Sequence, residues 1–419
     1  MTLTRWSALT GAMLATLLCL PFAASAQSIK IAIAGPMKAA PGQDAWNGAT
    51  LAAEAINAAG GVKVGAAARQ IQLVQVDTNE IRSITDSAKL VDLAITQGKV
   101  DFLVGGYRDE SVLAMQDAVI ARKKLFLGVG AQTAELGTRV ERQYNKYKYW
   151  FRVAPLKSGD GMQALFSAFG AAANQLRTEF KSKSLKVGIL GERTVYVDSL
   201  VKAAQETLPK MGLDVAGTWR PALTATGLTE DLNAVKRSGA QLVMVFLSGA
   251  QGATLGRQWN ELQINAIPFG PITTAQQDGY WEATAKKGNG VATLVPYGDA
   301  ALTPATRDFV KAYRERFKAT PGPSAAAYDA VMVLRAAIEQ AATVNADALV
   351  AALEKTDMPA TFGRLVFDKR HDPTFGPGYI TGIAVQWQDG AAVPIWPNGW
   401  RDVTVDGVKP LRLPPGMKK

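Results

Sequence analysis

The stretch IKIAIAGPMKAAPGQDAWNGATLAAEAINAAGG, residues 29–61, contains the structural unit that repeats along this chain. Its first six residues are apolar except for Lys30, which is typical of a strand buried in a sheet. A glycine turn follows, and residues 43–58 then carry apolar side chains at helical spacing. Gly60-Gly61 ends this helix, because glycine readily adopts the conformation found after helix C-termini. Repeated strand–helix units predict a parallel sheet covered by helices.

The alternation continues in two series. The first has predicted strands at 29–34, 71–76, 101–104 and 125–129, with helices at 43–58, 82–97 and 110–122. The second has predicted strands at 185–190, 213–218, 241–247 and 267–269, with helices near 159–180, 195–211, 229–238 and 250–262. Two series of similar size predict an α/β protein with two lobes, each built on a doubly wound sheet.

The last third of the chain departs from the alternation. A strand at 291–297 leads into helices near 305–318, 323–343 and 346–355. Residues 365–367 and 380–388 are then predicted to pair as a β-hairpin, followed by a tail rich in proline and tryptophan from Pro394.

Composition limits the possible functions. At about 100–200 residues per domain, 419 residues predict two or three compact units. The chain has one cysteine, Cys19, and one histidine, His371, so an internal disulfide, a CxxC motif and a histidine-rich metal site are excluded. We therefore expect no metal and no cofactor. The net charge of +10 is not concentrated in a long basic run, so we interpret it as a contribution to solubility.

Residues 1–26 have the three parts of a secretory signal. Arg5 supplies a positive start, residues 8–22 are mostly apolar, and Ala24-Ser25-Ala26 forms a small-residue cleavage site. The stretch is too short for a membrane span, which takes about 20 apolar residues. Lipidation at Cys19 is not expected, because the residues before it lack the required small side chains. The sequence thus predicts a cleaved signal and export to the periplasm.

A ligand site is expected where the strands end. In open α/β sheets, ligands bind beyond the carboxyl ends of strands, where helix N-termini point free N–H groups into the crevice. The segments in these positions are 35–38, 105–109 and 128–133 in the first lobe, and 191–196, 248–251 and 270–274 in the second. Each contains glycine, which lets the backbone approach a ligand closely.

The sequence resembles the leucine/isoleucine/valine-binding proteins, the type I periplasmic solute-binding components of ABC importers. The similar stretches run in order along the chain: 29–36, Asn47-Gly48-Ala49, 54–62, Asp77-Thr78, 130–136, Phe151-Arg152, Tyr196 and the late Pro/Trp tail. The resemblance implies a Venus-flytrap architecture, with two lobes joined by three crossovers near Val153, Tyr297 and Gly363. It assigns 27–153 and 298–362 to lobe 1, and 154–297 and 363–419 to lobe 2.

The resemblance also implies a function and a site. The chain is expected to be a monomer that binds a small polar solute, delivers it to permease subunits and catalyses no reaction. The family's donors to the ligand carboxylate fall on Asp109 and 130–132, and its ammonium partner falls on Ile272. An ionised aspartate cannot donate and isoleucine cannot pair with an ammonium group, so leucine is expected to bind weakly. Trp46 and Gln43 are candidates for the wall of the site.

The residues expected to contact the solute come from both lobes: Tyr107, Arg108, Asp109, Gly130, Ala131, Gln132, Tyr196, Gln251 and Thr273. Arg108 suits a carboxylate, with pairing to Asp109 or Glu110 as the alternative. Asp109 could instead cap the helix that follows it. Gln132 and the N–H groups beside it lie at a helix start, and Tyr196 could close over the solute with its ring.

Two further segments are interpreted as structural. Residues 144–150 mix tyrosine with lysine, as single-stranded nucleic-acid sites do, but no wider basic stripe accompanies them. We predict a solvated loop there and no nucleic-acid partner. His371 lies in a turn-rich stretch and is predicted to be exposed.

Three other classes of function were weighed against solute transport. A dinucleotide enzyme is disfavoured because Thr133 stands where the third glycine of the phosphate-binding motif is required. A hydrolase would lack the G-x-S-x-G motif and would depend on His371 alone. A ligand-sensing receptor of the same fold remains an alternative.

Overall fold

The computed structural model describes residues 27–417, so the predicted signal at 1–26 lies outside the described residues. The strands are β1 (Ile29–Gly35), β2 (Val62–Val64), β3 (Ala67–Arg69), β4 (Ile71–Asp77), β5 (Phe102–Gly105), β6 (Phe126–Gly128), β7 (Trp150–Arg152), β8 (Lys186–Gly191), β9 (Asp214–Trp219), β10 (Leu242–Phe246), β11 (Ile267–Phe269), β12 (Ala292–Val295), β13 (Asp357–Ala360), β14 (Gly363–Val366), β15 (Ile383–Gln388) and β16 (Ala391–Trp396).

The helices follow the predicted pattern closely. They are α1 (Ala40–Ala58), α2 (Ile84–Thr96), α3 (Asp109–Ala121), α4 (Glu135–Arg142), α5 (Tyr144–Tyr147), α6 (Ser158–Glu179), α7 (Val195–Thr207), α8 (Thr229–Ser238), α9 (Gln251–Glu261), α10 (Tyr280–Ala283), α11 (Pro304–Phe317), α12 (Ala327–Ala341) and α13 (Ala346–Leu353). Helix α1 ends as predicted, since Gly60 and Gly61 both have positive φ. The sequence did not predict α4, whose mostly polar surface has only a narrow apolar stripe.

Two sheets form the centres of the two lobes. The first has the order β4-β1-β5-β6-β7, and every pairing in it is parallel. The second has the order β16-β15-β12-β11-β10-β8-β9 and is parallel from β9 to β12. Strands β15 and β16 are antiparallel additions at one edge. The predicted α/β class with two doubly wound lobes is therefore confirmed.

The chain passes between the lobes three times. It leaves the first sheet after β7, and it returns after β12 to place α11, α12 and α13 against the first core. The last passage lies later than the predicted Gly363, because Leu365, Phe367 and Ile380 still pack in the first core. The next strand, β15, belongs to the second sheet.

The pairing predicted for the C-terminal hairpin is wrong. Strand β14 pairs with the preceding strand β13, and β15 pairs with β16 across Asp389-Gly390. Both turn residues have positive φ, and Asp-Gly is among the strongest signals for such a turn. Short local turns therefore prevail over the longer connection, and Pro394 lies within β16, an edge strand where proline is tolerated.

The predictions of an exposed His371 and a solvated loop at 144–150 are also wrong. Residues 144–147 form α5, and Tyr147 and Tyr149 are buried. His371 is only 2% exposed, and its ring stacks on Phe151 at 3.9 Å. One ring nitrogen lies 2.8 Å from the Trp150 carbonyl oxygen. Contacts distant in sequence thus bury residues whose local composition suggested solvent.

Neither a membrane-spanning helix nor a metal cluster occurs within residues 27–417. Each described helix is too short or too polar to cross a bilayer. The His, Cys, Asp and Glu side chains of that range form no group of three that could hold a metal ion.

A buried acid stabilises the junction between α12 and the β13–β14 hairpin. Asp329 is 2% exposed, and its Oδ1 accepts the Thr361 N–H at 2.8 Å. The Thr361 hydroxyl contacts Asp329 Oδ2 and lies 3.2 Å from the Tyr297 phenol oxygen. Burial raises the pKa of Asp329 to about 7, despite the hydrogen bonds from Thr361, which oppose the shift.

This raised pKa predicts a specific pH dependence of stability. The folded protein holds the Asp329 proton more tightly than the unfolded chain, so the stabilisation is complete below about pH 4 and is lost as the pH rises through about 7. In Asp329→Asn, which cannot ionise, we expect the melting temperature to fall less between pH 5 and pH 8. Between pH 5 and pH 8, the parent protein should lose at least about 1 kcal/mol more free energy of unfolding than Asp329→Asn, which corresponds to about 2–4 °C in melting temperature. Asp308→Asn, at an exposed position of α11, should keep the parent slope. Equal slopes in the parent and Asp329→Asn would contradict this assignment.

Candidate functional site

The loops beyond β4, β5 and β6 lie together at one end of the first sheet. These three loops, residues 78–83, 106–109 and 129–134, are called the first edge. Their parallel strands are direct neighbours, or share β1 as a neighbour, so their carboxyl ends point the same way. The first edge is where the sequence predicted one half of a ligand site.

Glu80 holds two loops of the first edge together. Its side chain is fully buried, and Oε2 accepts the backbone N–H groups of Tyr107 at 3.0 Å and Arg108 at 2.7 Å. Oε1 accepts the Thr78 hydroxyl at 2.8 Å. Burial raises the pKa of Glu80, and these hydrogen bonds oppose that shift. The sequence analysis missed Glu80, since a single acid after a strand gives no distinctive signal.

Asp109 joins the second and third loops through its Oδ1 atom. That oxygen is therefore not free to bind a ligand. Its Oδ1 accepts the N–H groups of Gln132 at 2.7 Å and Thr133 at 3.0 Å. The alternative prediction, a cap for α3, is also wrong, because the N-cap residue is Arg108 and no side chain caps that helix. Asp109 instead caps the neighbouring loop, a role that sequence spacing could not reveal.

Close backbone packing explains two glycines of the first edge. Gly106 has φ of +81°, and a Cβ atom on Gly130 would lie 2.1 Å from the Gly106 carbonyl oxygen. The two loops can therefore touch only because Gly130 lacks a side chain, and Gly106 supplies the positive φ that the turn requires. Within residues 27–417, no acceptor is bonded to the N–H groups of Gly130 and Ala131. These two donors are therefore candidates for ligand contact, with Gly130 half-buried and Ala131 buried.

The remaining predicted residues of the first edge differ in exposure. Tyr107 is 42% exposed and Gln132 is exposed, while Ala131 is buried. Arg108 pairs with Glu110 at 2.8 Å, which is the alternative that the sequence left open. Such exposed pairs are weak and can exchange for a ligand anion.

The two residues suggested as a wall of the site have other contacts. Trp46 is half-buried and packs against the first core. The Gln43 side-chain amide donates to the Met37 carbonyl oxygen, within the loop after β1. Both therefore support α1 and its entry loop.

The second edge repeats the construction of the first. It consists of residues 192–196, 220–225, 247–251 and 270–274, which follow β8, β9, β10 and β11. Glu192 is fully buried, like Glu80, and its Oε2 accepts the Ser248 N–H at 3.1 Å. Its Oε1 accepts the Ser248 hydroxyl. Each edge is thus stabilised by a buried carboxylate that binds the loop after another strand of the same sheet.

Gln251 belongs to the support of the second edge. It is 5% exposed, and its side-chain amide donates to the carbonyl oxygens of Ala222, Leu223 and Ala225. Its predicted contact with a solute is therefore not favoured by this geometry, because all its donors hold the loop at 222–225.

Apolar side chains stand exposed on the second edge. Val195 is 89% exposed and Tyr196 is 70% exposed at the start of α7, and Leu223 is also exposed. Thr273 is exposed, whereas Ile272 is fully buried in a core of the second lobe. Ile272 therefore faces away from the edge. Whether the site offers a partner for an ammonium group must be decided by other residues of the edges. These exposed side chains are candidates for contact with a ligand.

These edges have the chemistry of a binding site. They offer backbone N–H donors, aromatic and aliphatic side chains, and carboxylates whose oxygens already accept hydrogen bonds. His371 is buried against Phe151, so the imidazole that a hydrolase would need is enclosed in the first lobe. These are the groups that small-molecule sites in proteins use.

Comparisons with known proteins agree with this architecture. The model of the periplasmic binding protein family matches residues 28–391. The Leu/Ile/Val-binding protein homolog 7 of Brucella melitensis is 24% identical over 411 residues, covering 91% of this chain and 92% of that protein.

Two solved structures have a similar fold. One, described as a branched-chain amino acid ABC transporter from Silicibacter pomeroyi, has a TM-score of 0.75 at 18% identity and covers 93% of this chain and 99% of its own. The other, a solute-binding protein of an ABC transporter from R. palustris in complex with benzoate, has a TM-score of 0.60 at 17% identity and covers 88% and 95%. Because the family model spans most of the chain, the protein belongs to the periplasmic binding protein family.

Proposed function

We propose that this protein is the periplasmic solute-binding component of an ABC importer. It binds a small solute between the first and second edges, closes around it and presents it to permease subunits. The observation that carries this proposal is the matched construction of the two edges, each with a buried glutamate that binds a second loop and with an exposed tyrosine. A solute that contacts both edges stabilises the closed form by its differential affinity for that form.

The charged groups on the two edges, and the hydrogen bonds that they already make, support an anionic solute without an ammonium group. Glu80, Glu192 and Asp109 each accept backbone N–H groups, so none has its full capacity free for a ligand cation. The N–H groups of Gly130 and Ala131 suit a carboxylate instead. The name of the Brucella relative suggests branched-chain amino acids, whereas the benzoate complex suggests an acid without an amine. The donor-rich edges favour the second chemistry.

Matched pairs of compounds test this preference directly. L-leucine and 4-methylpentanoate share a carbon skeleton, as do L-phenylalanine and 3-phenylpropanoate, and each pair differs in the ammonium group. We expect the simple carboxylate of the better pair to bind at least about tenfold more tightly, because an unpaired buried ammonium costs more than about 1.4 kcal/mol. Calorimetric titration measures both affinities. Tighter binding of leucine would refute the charge argument, and no binding in a broad screen of solutes would refute the proposed function itself.

Gln132 and Tyr196 are predicted to touch the solute from opposite edges. Both side chains are exposed, and neither makes a hydrogen bond within residues 27–417. Gln132→Ala and Tyr196→Ala should each weaken binding of the best compound several-fold at an unchanged melting temperature. Gln97→Ala, at an exposed position away from both edges, is the control. Parent-like affinity in both test variants would exclude this placement of the site.

Glu80 is predicted to act on binding through the loop at 106–109. In Glu80→Gln, the remaining carbonyl oxygen can still accept the N–H groups of Tyr107 and Arg108. In Glu80→Ala, those donors lose their partner. We expect about a tenfold or greater loss of affinity for alanine and less than about threefold for glutamine. Hydrogen exchange of residues 106–109 should accelerate in the alanine variant alone, and equal exchange in both variants would contradict the role.

A further inference from the structure

The structure places a buried arginine between the first edge and the passages that join the lobes. Arg152 is the last residue of β7, immediately before the chain leaves the first sheet, and it is fully buried. Its guanidinium Nη2 donates to the Thr133 carbonyl oxygen at 2.6 Å, and Nη1 donates to the Ala131 carbonyl oxygen. The ligand-facing loop at 130–133 is therefore bonded to the residue where the first passage begins.

The same guanidinium also holds a segment that precedes the third passage. Arg152 Nε donates to Asp372 Oδ1 at 2.7 Å, and both side chains are fully buried. The Arg152 backbone N–H donates to the His371 carbonyl oxygen at 2.9 Å, which fastens this segment along the edge of β7. Arg152 thus contacts the binding loop and the segment at 368–373 through one rigid, planar group.

A second connection runs from the loop directly to the other lobe. The N–H and hydroxyl of Ser158, the first residue of α6, donate to the Gln132 carbonyl oxygen at 3.0 and 3.2 Å. Close by, a cavity of about 320 Å³ separates the start of α6 from the segment at 368–373, with Lys157 and Asp160 on one side and Asp368 and Pro373 on the other. The segments that join the lobes are therefore separated by this cavity. It leaves room for the lobes to turn.

We propose that Arg152 is a positioning residue that transmits the conformation of the loop at 130–133 to the passages between the lobes. A solute that binds the N–H groups of Gly130 and Ala131 shifts the carbonyl groups beside them, and Arg152 carries that shift to Asp372. This inference rests on the proposed solute-binding function. Arg152 would then connect solute binding at the first edge with the angle between the lobes.

Arg152→Lys is the direct test. Lysine keeps the positive charge for Asp372, but a single ammonium cannot reach all three acceptors in the geometry of the guanidinium. We expect amide exchange of residues 130–134 to accelerate at least tenfold, with little change in the strands of either sheet. Arg139→Lys is the matched control, because Arg139 also bonds three groups in the first lobe, at Leu113, Gln116 and Asp117, without contacting a passage. Parent-like exchange at 130–134, or faster exchange spread evenly over the first sheet, would overturn the proposal.

The angle between the lobes provides a second measurement. If Arg152 only stabilised the fold, its substitution would leave this angle unchanged. The only cysteine is Cys19, so cysteines introduced at exposed Glu54 and Lys202 place one spin label on each lobe. Without solute, Arg152→Lys should broaden the distribution of label distances, and Arg139→Lys should keep the parent distribution. With the best-binding compound of the matched pairs, the shift towards the closed form should shrink by at least half in Arg152→Lys. A parent-like distribution and shift would refute the proposal.

Gly137→Ala tests the relay from the opposite side without changing a charge. A Cβ atom on Gly137 would lie 2.6 Å from Asp372 Oδ2, so alanine must displace that carboxylate, although alanine otherwise favours a helix. The loop exchange and the distance distribution should change as in Arg152→Lys, and unchanged values would count against the relay even if the lysine variant did not fold. If no compound binds the parent protein, the proposed function fails, whereas the solute-free measurements still decide the role of Arg152.

Discussion

The cost of burying a carboxylate shapes both edges of this protein. A buried acid is tolerated only when donors surround it, and the donors nearest to the end of a parallel strand are the N–H groups of neighbouring loops. Glu80 and Glu192 each lie in this position and bind the loop that follows another strand of their own sheet. Loops that would otherwise be independent are thereby held at fixed spacing.

Hydrogen bonds connect the first edge with the segments that join the two lobes. The loop at 130–133 is held by Asp109 from inside the edge, by Arg152 from the end of β7, and by Ser158 from the second lobe. The bonds from Asp109 and Arg152 lie within the first lobe, and the bond from Ser158 joins the loop to the second lobe. A protein that must couple a small ligand to a large rotation needs such contacts at the boundary, because packed interiors transmit displacement with little compression.

The interpretation of local patterns succeeded where one segment decided its own structure. Continuous apolar runs predicted β1 and β10, and the glycine pair predicted the end of α1. The same approach failed where distant contacts prevailed. His371 was expected in solvent but stacks on Phe151, which lies 220 positions earlier in the chain. Of the predicted site residues, Tyr107, Gln132 and Tyr196 lie exposed on the edges, while Gln251 and Asp109 support them.

The sequence alone determined the class of the fold, the order of its elements and the loops in which a site could form. Periodicity of apolar residues and the conformational freedom of glycine are local properties, so they can be recognised without knowledge of the fold. Only the tertiary structure decided which polar side chains remain available to a ligand. A carboxylate such as Glu80 is a support or a binding group according to the donors that folding brings to it, and those donors lie 27 and 28 residues further along the chain.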